Sequence, residues 1–159
     1  MRDKHLEGID VVLQNLKNIQ KLNGASRTVS VIVESNGKEK SSDPAYYGAL
    51  HDENKFPFSE PPLVDFKKDV MEDERVIEYF NDMLRIKRKR RSSESMNKAA
   101  ILMGKIASDK VLNYILYEMP QKPQPWKKSG ERNLIESGDL IDAIKSKVEK
   151  DGEEIWRGY

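Results

Sequence analysis

Cysteine is absent from this chain of 159 residues, and histidine occurs only twice. Without thiols the chain can form no disulfide and can perform no thiolate chemistry, which fits a reducing compartment. A zinc site needs about four ligands from defined positions, and two isolated histidines do not supply them. The sequence also contains no glycine-rich phosphate loop and no Ser/His/Asp order. We therefore expect a protein that is not an enzyme and has no metal or cofactor.

Long apolar runs and a strong net charge are missing as well. No apolar run approaches the roughly 20 residues of a membrane span, and the N-terminal MRDKHLEGID lacks the apolar region of a signal peptide. The 28 basic and 27 acidic residues give a net charge of +1, so no overall electrostatic attraction to nucleic acid or to an anionic membrane is expected. The composition favours a protein that is made and used in a cytoplasm, without a membrane partner.

Apolar residues are also scarce, at 37% of the chain against 35% charged residues. A chain of this length forms one domain, which we expect to span 1–159. Its core is thin, and surfaces of partner subunits are expected to complete it.

The first part of the chain alternates between helix and strand signals. Apolar residues recur at steps of three and four over 6–22, which predicts an amphipathic helix that ends at Asn23-Gly24. The β-branched residues of 28–33 predict a strand. Asn36-Gly37 is a hairpin turn signal, but the returning segment has no apolar face. We therefore interpret 35–43 as a protruding hairpin tip or mobile loop.

A short helix is predicted next, because Asp43 is a good N-cap and Pro44 suits the first helical position. It covers 45–51. His51, Asp52 and Glu53 do not form a metal site, since adjacent helical residues point about 100° apart. We expect His51 to cap the end of this helix and to pack against Phe56 or Phe58.

Two helical segments follow, over 64–70 and from Val76 to about Arg88. The second runs into six basic residues within seven positions, namely Arg85, Lys87, Arg88, Lys89, Arg90 and Arg91. Clustered cations can bind DNA or an acidic partner by releasing phosphate counterions. The alternative is a helix C-terminus, where the helix dipole favours cations, followed by a solvated linker. This second interpretation is favoured, because no aromatic residue is present to stack a base.

The longest predicted helix covers about 93–118, and Gly104 and several alanines on it allow another element to approach closely. A proline-rich connector with Trp126 and the basic turn beginning at Lys127 follows. Ser137 is then predicted to be the N-cap of a short helix whose apolar side is Leu140, Ile141 and Ile144. This stretch indicates an anchor that docks a loop and a helix onto the core.

The end of the chain predicts a hairpin over 145–159 with the turn dipeptide Asp151-Gly152. The complete order of elements predicts an α+β fold, in which a small mixed or antiparallel sheet is packed by two or three helices, one of them long.

Several segments resemble one protein family. The motif L-I-x-[ST]-G-x-L-x-x-[SA]-I over 134–144, after W-K-x-S at 126–129, resembles the tail-completion (head–tail joining, or neck) proteins of tailed bacteriophages, including the Mu-like virion morphogenesis group. Ser137, Gly138, Leu140 and Ile144 take the motif positions. Tyr47, His51 and the Phe56-Pro57-Phe58 segment resemble a second family motif. Glu60 departs from that motif, since an arginine is common at its position.

The resemblance implies a structural virion protein. Copies would form a ring of sixfold or twelvefold symmetry at the neck, which completes the tail or joins it to the head. The implied partners are further copies of the chain, the neighbouring neck, connector and tail-tube proteins, and DNA that passes through the lumen without sequence-specific binding. The implied location is the virion, after assembly in the host cytoplasm. The interface residues would be those of the two motifs, together with Trp126 and Lys127. The alternative function is a cytoplasmic nucleic-acid-binding module that uses the basic segment 85–91.

Overall fold

The computed structural model describes Lys17 and residues 26–54, 58–85, 89–119 and 138–159. The strands are β1 (Arg27–Val33), β2 (Ile144–Lys150) and β3 (Glu153–Gly158). The α-helices are α1 (Pro44–Asn54), α2 (Phe66–Glu72), α3 (Glu74–Arg85), α4 (Lys89–Asn113) and α5 (Asp139–Ala143). The predicted helix over 6–22 (Lys17 excepted) and the connector around Trp126 lie outside the described residues.

The three strands form one antiparallel sheet in the order β1-β2-β3, which confirms the predicted α+β class. In the central strand β2, the side chains of Ile144, Ser146 and Val148 are fully buried, while the residues between them are half-buried. Their partners across the pair with β1 are Val33, Val31 and Val29. One face of the sheet therefore packs on the helices, and Lys145, Lys147 and Glu149 lie on the other face.

The pairing of β1 corrects the hairpin interpretation of 35–43. β1 pairs with β2, more than a hundred residues later in the chain, and among the described residues no strand returns from Asn36-Gly37. The segment instead contains a single 3-10 turn at 40–42. The reason is burial: a strand over 38–43 would have placed no apolar side chain on the core face, whereas β2 places Ile144 and Val148 there.

Helix α4 is the spine of the molecule, and it lies against the inner face of the sheet. Its contact with β2 is close because Gly104 has no side chain: a Cβ at this position would lie 3.1 Å from Ser146 Cβ. The buried Ser146 hydroxyl donates to the Gly104 carbonyl, and the Ser108 hydroxyl lies 3.2 Å from the same oxygen. Both buried hydroxyls are thus satisfied, as buried polar groups must be. Gly104 plays the predicted role of allowing close approach.

The start of α4 corrects the interpretation of the basic segment. The helix already includes Lys89 and does not start near Ser93, so the backbones of Lys89, Arg90 and Arg91 are helical. These residues are therefore not the linker that the sequence suggested. At its other end, α4 continues into a π-helical turn, Tyr114–Glu118.

Helices α2 and α3 cover another side of α4. Asp73 separates them, and its carboxylate accepts hydrogen bonds from the backbone N–H groups of Arg75 and Val76, which caps α3. Val76 and Met83 are buried, and α3 packs along α4 through this side. Lys110 forms an ion pair with Asp69, which ties α2 to the spine.

The last sixteen residues contain a hairpin, as the turn dipeptide suggested. Asp151 has φ 52° and Gly152 has φ 86°, the pair of positive values that a tight hairpin turn requires. Trp156 lies opposite Val148, and the Lys105 ammonium of α4 lies 5.8 Å from its ring centroid. β3 therefore completes the sheet and covers the helix side with its tryptophan.

Candidate protein interface

The segment that carries the family-like motif forms a buried anchor. Leu140 and Ile144 are fully buried, in a cluster with residues from the end of α4 and the π-helical turn and with Phe58. The remaining buried members of this cluster, which we call the anchor cluster, are Val111, Tyr114, Ile115 and Met119. The predicted docking of Leu140 onto the long helix is therefore present in the structure. A helix of five residues has little stability of its own, so this burial must hold it in place.

Two details of the predicted anchor were wrong. The N-cap of α5 is Gly138 and not Ser137, which lies outside the described residues. Gly138 has φ 70°, a left-handed conformation that glycine adopts without strain, so the motif glycine meets a backbone requirement. Ile144 does not continue the helix but begins β2, because α5 ends at Ala143. The core helix and the central strand thus join without a loop.

Helix α1 closes the anchor from the other side. Its N-terminus forms as the sequence predicts: Pro44 is the first residue, and the Asp43 carboxylate accepts a hydrogen bond of 3.1 Å from the Ala45 N–H. Gly48 is buried against the anchor cluster, since a Cβ there would lie 3.1 Å from Leu140 Cδ1 and 3.7 Å from Phe58 Cζ. Tyr47 is half-buried and packs against the same cluster. The residues of the two family-like motifs Tyr47, Phe58, Leu140 and Ile144 are therefore in one place.

His51 does not have the predicted position at a helix end. α1 continues to Asn54, so the backbone of His51 is one turn inside the helix. The motif residue Phe56 lies outside the described residues, as do Trp126 and Lys127 of the connector and Lys87 and Arg88 of the basic segment. The backbones of Arg85, Lys89, Arg90 and Arg91 belong to the end of α3 and the start of α4.

Three tyrosines on or next to elements that pack in the anchor cluster are exposed, and the sequence analysis did not single them out. Tyr46 of α1 is 43% exposed, Tyr117 of the π-helical turn 65%, and Tyr159 after β3 50%. Two are held by cations: the Lys40 ammonium lies 5.6 Å from the Tyr46 ring centroid, and the Lys145 ammonium lies 3.3 Å from that of Tyr159. The Tyr159 hydroxyl also donates to the Asp142 carbonyl at 3.0 Å. These contacts fix two exposed aromatic rings in position.

The position of these tyrosines in the helical repeat could have identified them, because it decides which side chain faces the core and which faces outward. Tyr46 and Tyr47 are neighbours, and only one of them can face the core of α1. Tyr114 and Tyr117 pose the same choice at the end of α4, where the π-helical turn buries Tyr114 and turns Tyr117 outward. Such a turn is not visible in the apolar periodicity.

The loop 35–43 is organised by Asp43. The Asp43 carboxylate accepts a hydrogen bond of 2.6 Å from the Ser35 hydroxyl and one of 3.2 Å from the Asn36 N–H. These bonds, with the Ser35 hydroxyl as the largest cause, lower the pKa of Asp43. The loop borders an open cleft of about 260 Å³ that is also lined by Asp139 and Asp142 of α5. The loop 35–43 therefore has a hydrogen-bond network of its own.

Among the residues that the structure describes, no group of three or more His, Cys, Asp or Glu side chains could hold a metal ion. None of the described helices combines the length and the hydropathy that crossing a bilayer demands.

The exposed tyrosines beside the anchor cluster can form a surface for protein–protein contact. Half-exposed aromatic rings, held in position beside a buried cluster, are suited to protein–protein contact. Comparisons with protein-family models, with curated proteins and with solved structures each gave no match.

Proposed function

We propose that the chain is a structural virion protein that assembles into a ring at the neck of a tailed bacteriophage, where it completes the tail or joins it to the head. The observation that carries the proposal is the set of three exposed tyrosines: Tyr46 on α1, Tyr117 on the π-helical turn, and Tyr159, which is hydrogen-bonded to α5. Tyrosine is enriched at the centres of protein interfaces, because it buries a large area with few rotatable bonds.

The resemblance supplies the kind of assembly, and the anchor supports it with a physical reason for three of the motif residues. Gly138 is required by a left-handed backbone, and Leu140 and Ile144 are required by full burial. Under the proposal, the anchor holds α1, α5 and the end of α4 in the arrangement that positions the tyrosines. The function involves no catalytic step, no metal and no cofactor, and neighbouring copies are the first partners.

The test compares exposed residues inside and outside this surface. We expect Tyr117→Ala to weaken ring formation tenfold or more, since a central tyrosine contributes about 2 kcal/mol or more to an interface. Val64→Ala is the matched control, because Val64 is also strongly exposed but lies beside α2. Both variants should melt like the parent protein in urea. Particle mass and negative-stain images, together with complementation of a phage that lacks this protein, give the readout. Equal assembly of the two variants would contradict the proposal.

One observation favours the alternative of nucleic-acid binding. Lys89, Arg90 and Arg91 are consecutive helical residues, so the basic segment concentrates three cations on one helical turn of α4. Phosphate contacts by this segment would give an affinity for DNA that falls steeply with salt. A gel-shift titration at two salt concentrations, with Lys89, Arg90 and Arg91 changed to glutamine, tests this function. A monomer that binds DNA and loses binding in the variant would favour it over the ring.

A further inference from the structure

Asn36 and Gly37 form a dipeptide that has a chemical reactivity of its own, in addition to its role in the turn. The glycine of an Asn-Gly pair has no side chain, so its backbone nitrogen can approach the side-chain amide carbon of the asparagine. Attack by this nitrogen converts the asparagine into an acidic residue, a reaction called deamidation, for which asparagine is counted among the thermolabile residues. Asn36 is exposed to the solvent, which supplies the water that the reaction consumes. The loop 35–43 therefore contains a candidate site of spontaneous covalent modification.

Deamidation proceeds in two steps and needs no reagent other than water. In the first step, the Gly37 nitrogen loses its proton to the solvent and forms a bond to Cγ of Asn36. The Cγ–Nδ2 bond then breaks, and the amide group takes up a proton from the solvent and leaves as ammonia. In the second step, a water molecule opens one of the two C–N bonds of the resulting succinimide ring, which leaves aspartate or isoaspartate at position 36. No atom is oxidised or reduced, and the chain gains one negative charge.

The structure engages both reacting groups in hydrogen bonds. The Gly37 N–H donates to the Ser35 hydroxyl oxygen at 3.2 Å, so the proton that must leave is already shared with an acceptor. The Asn36 amide is held at both ends: its Nδ2 donates to the Ser42 carbonyl at 3.1 Å, and its Oδ1 accepts from the Lys38 N–H at 3.0 Å. Because the attack requires the amide to turn its carbon toward the Gly37 nitrogen, these bonds restrain the reaction.

Asp43 connects this arrangement to the start of α1. Its carboxylate accepts hydrogen bonds from the Ser35 hydroxyl at 2.6 Å, from the Asn36 N–H at 3.2 Å and from the Ala45 N–H at 3.1 Å. The Ser35 hydroxyl is the link between the two parts of the network, since it donates to Asp43 and accepts from Gly37. Removal of this one hydroxyl group would therefore release both the nucleophile and the carboxylate.

We propose that Asn36 is a protected deamidation site: the closed loop slows the reaction, and the reaction, once it has occurred, opens the loop. The product has a carboxylate in place of the amide, so the donor to the Ser42 carbonyl is replaced by an oxygen that repels it. The new negative charge also lies in the same loop as the Asp43 carboxylate, and like charges repel. Lys40 belongs to this loop and its ammonium lies 5.6 Å from the Tyr46 ring centroid, so the opening changes the surroundings of that exposed tyrosine. The inference does not depend on the ring assembly.

The rate of deamidation tests the protection without any substitution. The full-length protein is incubated at mildly alkaline pH, and mass spectrometry of its digest follows the deamidated fraction of the peptide that contains Asn36. We expect Asn36 to react at least about tenfold more slowly in the folded protein than in the urea-unfolded protein, because the reaction waits for the loop to open. Ser35→Ala should remove most of this protection, whereas Ser42→Ala, which keeps the backbone carbonyl that Asn36 uses, should leave it unchanged. Equal rates in the folded and unfolded parent protein, or in the two folded variants, would overturn the proposal.

A second measurement tests the effect of the reaction on the loop. Asn36→Asp reproduces one of the two products, and the rate of trypsin cleavage after Lys38 reports how often the loop is open. We expect Asn36→Asp to raise this rate about tenfold or more over the parent protein, because it favours the open state. Asn81→Asp makes the same chemical change at an exposed position of α3 and should leave the rate unchanged. Equal cleavage of Asn36→Asp and the parent protein would show that the modification does not open the loop and would overturn the proposal.

Discussion

Leu140 is the side chain on which the anchor most depends. It is fully buried, although its helix has only five residues. Its side chain contacts α1 so closely that a Cβ on Gly48 would lie 3.1 Å from Leu140 Cδ1. Because α5 cannot be stable without this contact, the loss of the side chain affects two neighbouring elements as well as the cavity it leaves.

We therefore expect Leu140→Ala to lower the free energy of unfolding by about 2–5 kcal/mol. A urea melt measures the change, and the m-value shows whether the transition stays cooperative. Val64→Ala removes a comparable apolar group from an exposed position, so it should stay within about 0.5 kcal/mol of the parent. Equal melts for the two variants would show that Leu140 is not a core residue.

The Asp43 carboxylate links the loop 35–43 to the start of α1, and this link depends on pH. Its pKa is lower in the folded protein, mainly because the Ser35 hydroxyl donates to it. A lowered folded pKa stabilises the folded loop above the unfolded pKa of about 4, and the contribution is lost as the pH falls through the folded value. The loop should therefore open in acid and stay closed at neutral pH.

The corresponding experiment is an NMR titration of the Asp43 carboxyl group. Ser35→Ala should raise the pKa of Asp43 toward its ordinary value, and the Asn36 and Ala45 amide signals should follow the same titration. Ser42→Ala is the control, since the loop uses the backbone carbonyl of Ser42 and its hydroxyl makes no bond to Asp43. If Ser35→Ala and Ser42→Ala titrate alike, the Ser35 hydroxyl does not hold the carboxylate.

At the scale of elements, the contact between α4 and the sheet depends on Gly104. Ordinarily, Gly→Ala within a helix stabilises it by up to about 1 kcal/mol. Here the new Cβ would lie 3.1 Å from Ser146 Cβ, on a fully buried residue of the central strand that has no room to move. Overpacking of this kind costs about 1–3 kcal/mol, so we expect Gly104→Ala to be destabilising in net terms.

A double-mutant cycle separates the two effects. In a Ser146→Gly background the clash is absent, and Gly104→Ala should then become neutral or stabilising, with a coupling energy of about 1 kcal/mol or more. Thermal or urea melts of the four proteins supply the cycle. Additive changes would mean that the helix and the strand have room to separate at this point.

The sequence predicts elements well where the signal is local. The alternating residues of β1, the Asp43-Pro44 helix start, the Asp151-Gly152 turn and the long helix all have chemistry that acts within a few residues. The partner of β1 could not be predicted in this way, because Asn36-Gly37 offers a turn but pairing is decided by burial. β2 was predicted as one arm of the C-terminal hairpin, but its place in the centre of the sheet was not, because its buried positions include the polar residue Ser146, which packs against Gly104.

The candidate site was also predictable where the signal is local and unpredictable where tertiary packing decides. The burial of Leu140 follows from apolar spacing. The N-cap was predicted to be Ser137, because serine is a preferred N-cap residue, but the position is taken by Gly138 with its left-handed backbone. The exposed face of the site depends on which tyrosine of each pair points outward. That choice follows from the packing of α1 against α5 and from the π-helical turn, neither of which has a signature in a single sequence.

For the whole molecule, the anchor cluster and the sheet form one body. Ile144 belongs to both, since it is a member of the anchor cluster and the first residue of the central strand. The second half of α4 contacts both as well. Because they share these residues, the anchor cluster and the sheet cannot easily open independently of each other.

We therefore expect native-state hydrogen exchange to show one cooperative unit. The amides of β2 and those from Gly104 to Ile115, in α4 and the π-helical turn, should exchange with the same free energy, close to the global value. Leu140→Ala should lower both by the same amount, although Leu140 lies in neither element. If the variant accelerates exchange only in α5 and α1, the anchor is a separate unit that can open locally.

The pairing of β1 with β2 also governs the order in which the molecule can fold. Residues 34–143, and with them all five helices of the described chain, lie between the two strands that must meet. Closing so long a loop is entropically expensive, and such non-local pairing slows folding. The helix pair α3–α4 and the start of α1 can form early from neighbouring residues, whereas β1 has no partner until the far end of the chain arrives. We therefore expect β1 to join the local β2–β3 hairpin late, with the short helix α5, joined to β2 without a loop, fixing the position of the central strand.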